Sequence, residues 1–288
     1  MYKNKKLTCI LLSTPFILFV GVFLLYPAVV NIYNSFFKFA NRLDTNPTFV
    51  GFDNFAKLFA DKDFWRALSN TGILMVLVVV FQIGIALVLA ILVNSLKKKG
   101  VTFFRVVFFM PIVVSATAIG LLYLLIIQPD GMLTQIVGGE SVDWLPAGRP
   151  KALIIVMTPV IWQYIGFYFV IFLTGLSGIS EDIYEAAKID GAGRLATTFK
   201  ITLPMLQNVI RTTIVLAVTG ALKVFDLPHV IARDGAPNRE TIFMGTYNNF
   251  LYGAGRVGES AVFSLVIVIV GILVSVATNK ALKENKDI

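Results

Sequence analysis

Six mostly apolar stretches, roughly 7–33, 69–94, 106–127, 152–176, 206–228 and 259–280, each run to about twenty residues or more. A hydrocarbon layer about 30 Å thick is crossed by about 20 helical residues, and within it each backbone N–H and C=O must find a partner inside the protein. The pattern predicts an all-α membrane protein with six transmembrane helices, forming one transmembrane domain over residues 1–288. With 57% hydrophobic and only 15% charged residues and a mean hydropathy of +0.79, the chain has no stretch to spare for a soluble domain.

The net charge of +8 would suit a nucleic-acid binder, but its distribution favours a membrane explanation. Alternate loops fall on alternate sides. One side carries the amino terminus with Lys3, Lys5 and Lys6, then Lys97, Lys98, Lys99 and Arg105, the Lys188/Arg194/Lys200/Arg211 group, and Lys280, Lys283 and Lys286. Those 14 basic residues face 6 acidic ones, for +8, while the opposite side holds 11 of each, for zero. The positive-inside rule makes the first side cytoplasmic, which predicts a multi-pass protein of the cell membrane with both termini in the cytoplasm. The basic start followed by an apolar run imitates a secretory signal, but the run passes Pro15 and reaches Tyr33 with no small-residue cleavage site, so an uncleaved first helix is expected. Cys9 is the only cysteine, which rules out an intramolecular disulfide or a cysteine metal cluster.

Between the fourth and fifth stretches lies a polar segment, about 178–205. Ser180 followed by Glu181 and Asp182 suits a helix start, because a serine side chain accepts an orphan N–H and acids complement the positive end. Good helix formers fill Ile183 to Ile189, and Asp190-Gly191 fits a left-handed carboxyl cap. A second helical piece starts near Arg194, with Pro204 expected to separate it from the fifth span. The segment reads Glu185-Ala186-Ala187-Lys188-Ile189-Asp190-Gly191-Ala192 and closes on Phe199, Ile201, Leu203 and Pro204. This pattern resembles the EAA loop of ABC importer permeases. Phe49 to Phe55, Phe108-Phe109-Met110-Pro111 and Asp234-Gly235-Ala236-Pro237-Asn238 are phrases similar to the maltose-transporter type, the last with Ala236 in place of a glycine.

The resemblance implies the transmembrane domain of a type I ABC importer. Its EAA loop would dock on a separate cytoplasmic ABC ATPase dimer through Glu185, Ala186, Ala187, Asp190 and Gly191. It also implies a second permease subunit, an extracytoplasmic solute-binding protein, and a sugar cargo, most like a di- or oligosaccharide. No Gly-Lys pair occurs, so the phosphate-cradling GxxxxGK[ST] pattern is absent and ATP is expected on the partner. No cofactor, metal site or catalytic residue of its own is expected, and the chain is not expected to be an enzyme. His229, the one histidine, sits at the outer end of span five among apolar residues.

A cargo site would need polar groups at bilayer depth, where they are costly unless used. Trp162, Gln163 and Tyr164 lie near the middle of span four, after Pro159. Aromatic faces stack on pyranose rings and amides bond hydroxyls. By resemblance, Trp162 has the spacing from the EAA glutamate of a sugar-contacting tryptophan, and Tyr164 and Phe167 stand where the family has glycine and tyrosine. Also by resemblance, Val218, Ala221, Leu222 and Phe225 hold the contact positions of span five. Lys223 and Asp226, three apart on one helix face, suit either pore lining or anchoring at the outer end. Pro111 and Pro159 are expected to kink spans three and four. The 34–68 loop should hold two short amphipathic helices, with Phe55, Leu58 and Phe59 on one and Phe64, Trp65 and Leu68 on the next.

The sequence is open to two alternatives. An ABC permease for glycerol phosphate or a polyamine would want cavity charges, for which Lys223 is the only good basic candidate. An ion-coupled secondary carrier would want a midplane charge pair and inverted repeats, and neither is clear here.

Overall fold

The computed structural model describes residues 5–137, 141, 144–145, 150–231 and 241–281. The first span is helical from α1 (Lys5–Val20) through a π-helical turn at Gly21–Leu25 into α2 (Tyr26–Ser35). A short hairpin follows, β1 (Phe37–Lys38) and β2 (Thr48–Phe49), then α3 (Asp53–Ala60). The second span comprises α4 (Lys62–Leu77), a π-helical stretch at Val78–Ile83, and α5 (Gly84–Asn94). Next come α6 (Lys98–Val113), α7 (Ala116–Ile127), α8 (Met132–Val137) and the long α9 (Pro150–Ser177). The polar segment holds α10 (Glu181–Ile189), α11 (Arg194–Thr197), π-helical Thr198–Thr202 and α12 (Leu203–Met205). The chain continues as α13 (Gln207–Leu222), α14 (Asp226–Ile231), α15 (Met244–Gly253) and α16 (Val257–Ala281). Among the described residues the fold is all-α apart from the hairpin.

Among the described residues, six segments are long and apolar enough to cross a membrane: Cys9–Ser35, Lys62–Asn94, Ala116–Val137, Pro150–Ser177, Gln207–Ile231 and Val257–Lys280. Five lie close to the expected stretches, although the second begins at Lys62 rather than 69. The outer helix pair is thus one short helix, α3, followed by the start of a span. The third differs. Residues 106–127 are not one helix, because the backbone leaves the helical region at Val114 and Ser115 (ψ 137° and 133°), which separate α6 from α7. The interruption falls three residues beyond Pro111, which α6 carries inside its last turn. A proline that close to a helix end removes one bond and leaves little helix beyond it to bend. Alone, α7 rises only about 18 Å at 1.5 Å per residue, and the candidate span continues through a turn into α8.

The chain's contacts gather into two compact units. One contains the chain up to Lys62 together with Asn248–Val268. In it the buried Asn54 donates its Nδ2 to the carbonyls of Ser35 and Phe37, both at 2.9 Å. Gly258 packs directly against this junction, where a Cβ would collide with the Phe37 carbonyl and the Asn54 amide. Arg256 bonds Asp61 and Glu259, and Phe36, Phe52 and Phe55 form an aromatic cluster.

The other unit contains Asp63–Tyr247 and the chain from Ile269. Its core is α9, whose Val156, Met157, Phe169, Phe172 and Leu173 pack with Leu74, Val78, Ala86 and Ala90 of the second span. Small residues on the second span permit that approach. Closer still, α6 crosses α9 at Gly166, where a Cβ would sit inside the Phe108 carbonyl. Pro159 cannot donate to the carbonyl four residues back, and Tyr123 Oη supplies the bond to Ile155 O instead at 3.0 Å. Asn70 Nδ2 donates to Ile242 O at 2.8 Å, and the Met244 N–H donates to Thr71 Oγ1 at 3.0 Å. These two bonds fix the chain leading into α15.

Candidate functional site: a mid-span cavity and a polar loop

Two features of the second unit carry chemistry. The first is a cavity of about 360 Å³ between the second, fourth and fifth spans. Along α9, Val160, Gln163, Tyr164, Phe167 and Tyr168 line it, at the i, i+3, i+4, i+7, i+8 spacing of one helix face. Ala221 and Phe225 line it from the fifth span, together with Gly220, Lys223 and Asp226. The second span contributes Val78 and Gln82 from its π-helical stretch. The extra residue of a π turn rotates the next side chains round the axis, and such turns recur at functional sites. Gln82 is buried, and its Nε2 donates to Ile161 O at 2.9 Å, tying it to α9 next to Gln163.

Of the residues expected along a pathway, Gln163, Tyr164, Phe167, Ala221 and Phe225 are brought together. Trp162, Val218 and Leu222 are not on this wall. Trp162 is 51% exposed on the adjoining face of α9, in line with exposed Ile154 and Thr158. Val218 and Leu222 are buried in helix packing. The cause is angular, since one residue along a helix turns a side chain about 100° round the axis. Gln82 and Tyr168 join the wall without having been singled out. A lone amide in the apolar run Leu77 to Leu87 is the signal that could have found Gln82. His229 is exposed and stacks on Phe225, with ring centroids 4.7 Å apart. The Asp234 to Asn238 phrase lies outside the described residues.

The second feature is the polar segment. Ser180 caps α10 by accepting from Asp182 N at 3.3 Å, with Glu181 and Asp182 in the first turn and Lys188 in the last. Gly191 has φ +76°, its N–H donates to Lys188 O at 3.1 Å, and Ala192 N–H donates to Ala187 O at 2.9 Å. This is the paired bonding of a Schellman cap, which requires the left-handed residue that glycine adopts without a side-chain penalty. Thr202 Oγ1 lies 3.4 Å from Tyr184 Oη and links α10 to the helical turns after it.

The five residues expected to dock divide. Ala186 is exposed with Glu185, Asp190 and Gly191, whereas Ala187 is buried and packs inward. The outward face also carries Ile189, Leu195 and Phe199, at 86%, 76% and 67% exposure. Pro204 does not separate the segment from the fifth span as expected. The chain stays helical through it and breaks at Leu206 (φ −84°, ψ 0°). Pro204 stands in the first turn of α12, where its fixed φ suits a helix.

Residues 7–284 match the family model described as binding-protein-dependent transport system inner membrane component. The diacetylchitobiose uptake system permease protein NgcF of Streptomyces coelicolor is 34% identical over 209 residues, covering 67% of this chain and 59% of that one. The lactose transport system permease protein LacF of Rhizobium radiobacter is 30% identical over 243 residues, covering 82% and 80%. Among solved structures, a chain of a bacterial alginate ABC transporter superposes with a TM-score of 0.81 over 97% of this chain and 96% of its own, at 22% identity. The six apolar spans and the capped polar loop thus have the fold of a type I ABC importer permease, and the chain belongs to the family of binding-protein-dependent transport system inner membrane components.

Proposed function

We propose that this chain is the permease subunit of an ATP-driven importer for a sugar, most like a di- or oligosaccharide. The observation that carries the reading is the cavity, in which two amides and several aromatic rings meet at mid-span. That is the combination that grips a ring with an apolar face and a hydroxyl edge. The cargo named for LacF and NgcF, both sugars, supports it.

In this reading the chain pairs with a different permease to form a pathway that opens alternately to each side. An extracytoplasmic binding protein delivers the sugar. ATP is bound by a cytoplasmic ABC ATPase dimer, on which the loop docks through Glu185, Ala186, Asp190 and the Gly191 turn, with Ile189, Leu195 and Phe199 as apolar contacts. Ala187 supports the loop from behind. Gln163, Tyr164, Phe167, Ala221 and Phe225 form the cargo wall. Trp162 lies on the adjoining face, with Val218 and Leu222 behind the wall. Both termini lie in the cytoplasm of the cell on this reading, as the charge distribution favours.

The test is uptake of labelled disaccharides by the whole transporter in proteoliposomes, with its binding protein present. Sugar-dependent uptake and sugar-stimulated ATP hydrolysis are expected, and a transporter that moves polyamines or phosphate esters but no sugar would overturn the reading. For orientation, single cysteines at Arg194 and Leu43 in a Cys9→Ser chain are treated with an impermeant thiol reagent outside whole cells. Position 43 should react and position 194 should not. Labelling at 194 would reverse the topology and remove the ATPase contact.

A further inference from the structure

The fifth span is broken where it meets the cavity. Its first helix, α13, ends at Leu222, Lys223 turns the chain (φ −102°, ψ 4°), and α14 opens at Asp226. Lys223 N–H donates to Gly220 O at 3.1 Å. Gly245 presses on the turn from the other side, where a Cβ would strike the Val224 carbonyl. Lys223 and Asp226 both line the cavity, and they are the only charged residues among its described lining residues. Both are exposed, and no ion pair joins them. Each charge stands at the helix end whose partial charge it complements, cation at a carboxyl end and anion at an amino end. The wall therefore offers an ammonium with donors only, a carboxylate with acceptors only, and a formal charge of zero.

We propose that Lys223 and Asp226 are the specificity-determining pair of this cavity, selecting an uncharged, hydroxyl-rich cargo and disfavouring an acidic or cationic one. The inference rests on the sugar-permease reading and narrows it to neutral sugars. A hydroxyl both donates and accepts, so neighbouring hydroxyls of a sugar ring satisfy both groups at once. Charge-assisted bonds of that kind are about twice as strong as neutral ones. A uronate would gain from Lys223 but be held against Asp226, and a polyamine would meet the reverse.

Gly220 supplies the probe position, because it lines the cavity and a Cβ added there meets no atom within 4 Å. In the assembled transporter carrying Cys9→Ser and Gly220→Cys, without binding protein, the rate of thiol modification at 220 is measured against increasing sugar. The probes are lactose, maltose, cellobiose and diacetylchitobiose as neutral disaccharides, and digalacturonate as the acidic one. At least one neutral sugar should protect position 220 at a lower concentration than digalacturonate. Asp226→Asn should lower the half-protecting concentration of digalacturonate roughly tenfold relative to that neutral sugar, and Lys223→Gln should raise it by a similar factor.

Protection by digalacturonate at a concentration equal to or below that of the best neutral sugar, with Lys223 and Asp226 intact, would overturn the proposal, and that comparison needs neither charge variant to assemble. So would shifts below twofold in both variants, or no protection by any neutral sugar. If sugar uptake persists in the intact transporter while any of these holds, only the charge pair is wrong. If uptake fails too, the sugar reading falls with it.

Discussion

The polar loop and the cavity wall lie in the same compact unit, yet they are specified differently. The loop is built from local rules. Ser180 and Gly191 each act on residues no more than five positions away, through a cap at one end and a left-handed turn at the other. The cavity wall is built from residues up to 149 positions apart, Val78 to Leu227, and depends on which face each apolar helix turns inward. Substitutions in the loop should therefore act on coupling and leave the cargo site intact. Substitutions in the wall should do the opposite.

The largest expected effect tests the loop. Gly191→Pro cannot adopt φ +76° and loses the N–H that bonds Lys188 O, while Glu185→Lys reverses an exposed charge. Both proteins should insert and still bind sugar, with ATP hydrolysis falling to the unstimulated level when loaded binding protein is added. Normal stimulation in both variants would remove the proposed difference between the regions.

Next in size is Gly166→Ala, which tests whether the wall depends on distant packing. Its methyl group would collide with the Phe108 carbonyl of α6. Overpacking of this kind costs about 1–3 kcal/mol, which should lower the thermal unfolding midpoint of the detergent-purified protein. An unchanged midpoint would show that α6 yields easily and that the wall is less constrained than the loop.

A smaller effect separates two neighbours on α9. Tyr164→Ala removes an aromatic face from the cavity, and a loss of about 1–3 kcal/mol would weaken sugar affinity roughly fivefold to a hundredfold. Trp162→Ala, off the wall, should weaken it less, with Trp162→Phe closer still to the parent. Binding isotherms on the assembled transporter decide the order. If Trp162→Ala is the more damaging, the pathway runs along the exposed face of α9 rather than through this cavity.

The smallest effect lies in neither region. Asp44 accepts the backbone N–H groups of Ala40 and Asn46 at 2.7 and 2.9 Å, which holds its carboxyl below the usual carboxylate value. A depressed folded-state value means the turn is supported at neutral pH and released as pH falls through that lowered value. Amide exchange at Ala40 and Asn46, corrected for its intrinsic pH dependence, should rise only in that acid range. In Asp44→Asn this acid step should disappear, with coupling and sugar binding unchanged in both proteins at neutral pH.

The caps at Ser180 and Gly191 could be read from sequence because their determinants are a few residues apart. That the carbonyl freed by Pro159 needs a partner follows from the pairing rule for every membrane span, but Tyr123 could not be named from sequence because it comes from another helix. Trp162 shows the limit most clearly. A helix that is apolar nearly all round, as Pro150–Ser177 is, has no polar stripe to say which side faces a cavity. A one-residue difference between Trp162 and Gln163 then decides membership of the wall. The break at Val114–Ser115 escaped for a related reason, since a proline was present and the helix ended beyond it.

The first span is set apart because none of its apolar window is buried by the rest of the chain. Hydrocarbon tails are as apolar as leucine, so exchanging one for the other yields no hydrophobic driving force. Its side chains from Leu11 to Tyr26 are thus free to drift among apolar residues, provided that insertion is preserved and nothing else touches them. A saturation library over this segment, selected for uptake, would convert that freedom into a map. Positions that accept any apolar residue face lipid. A run of intolerant positions one helical turn apart would trace the imprint of a neighbouring subunit on an otherwise unconstrained surface.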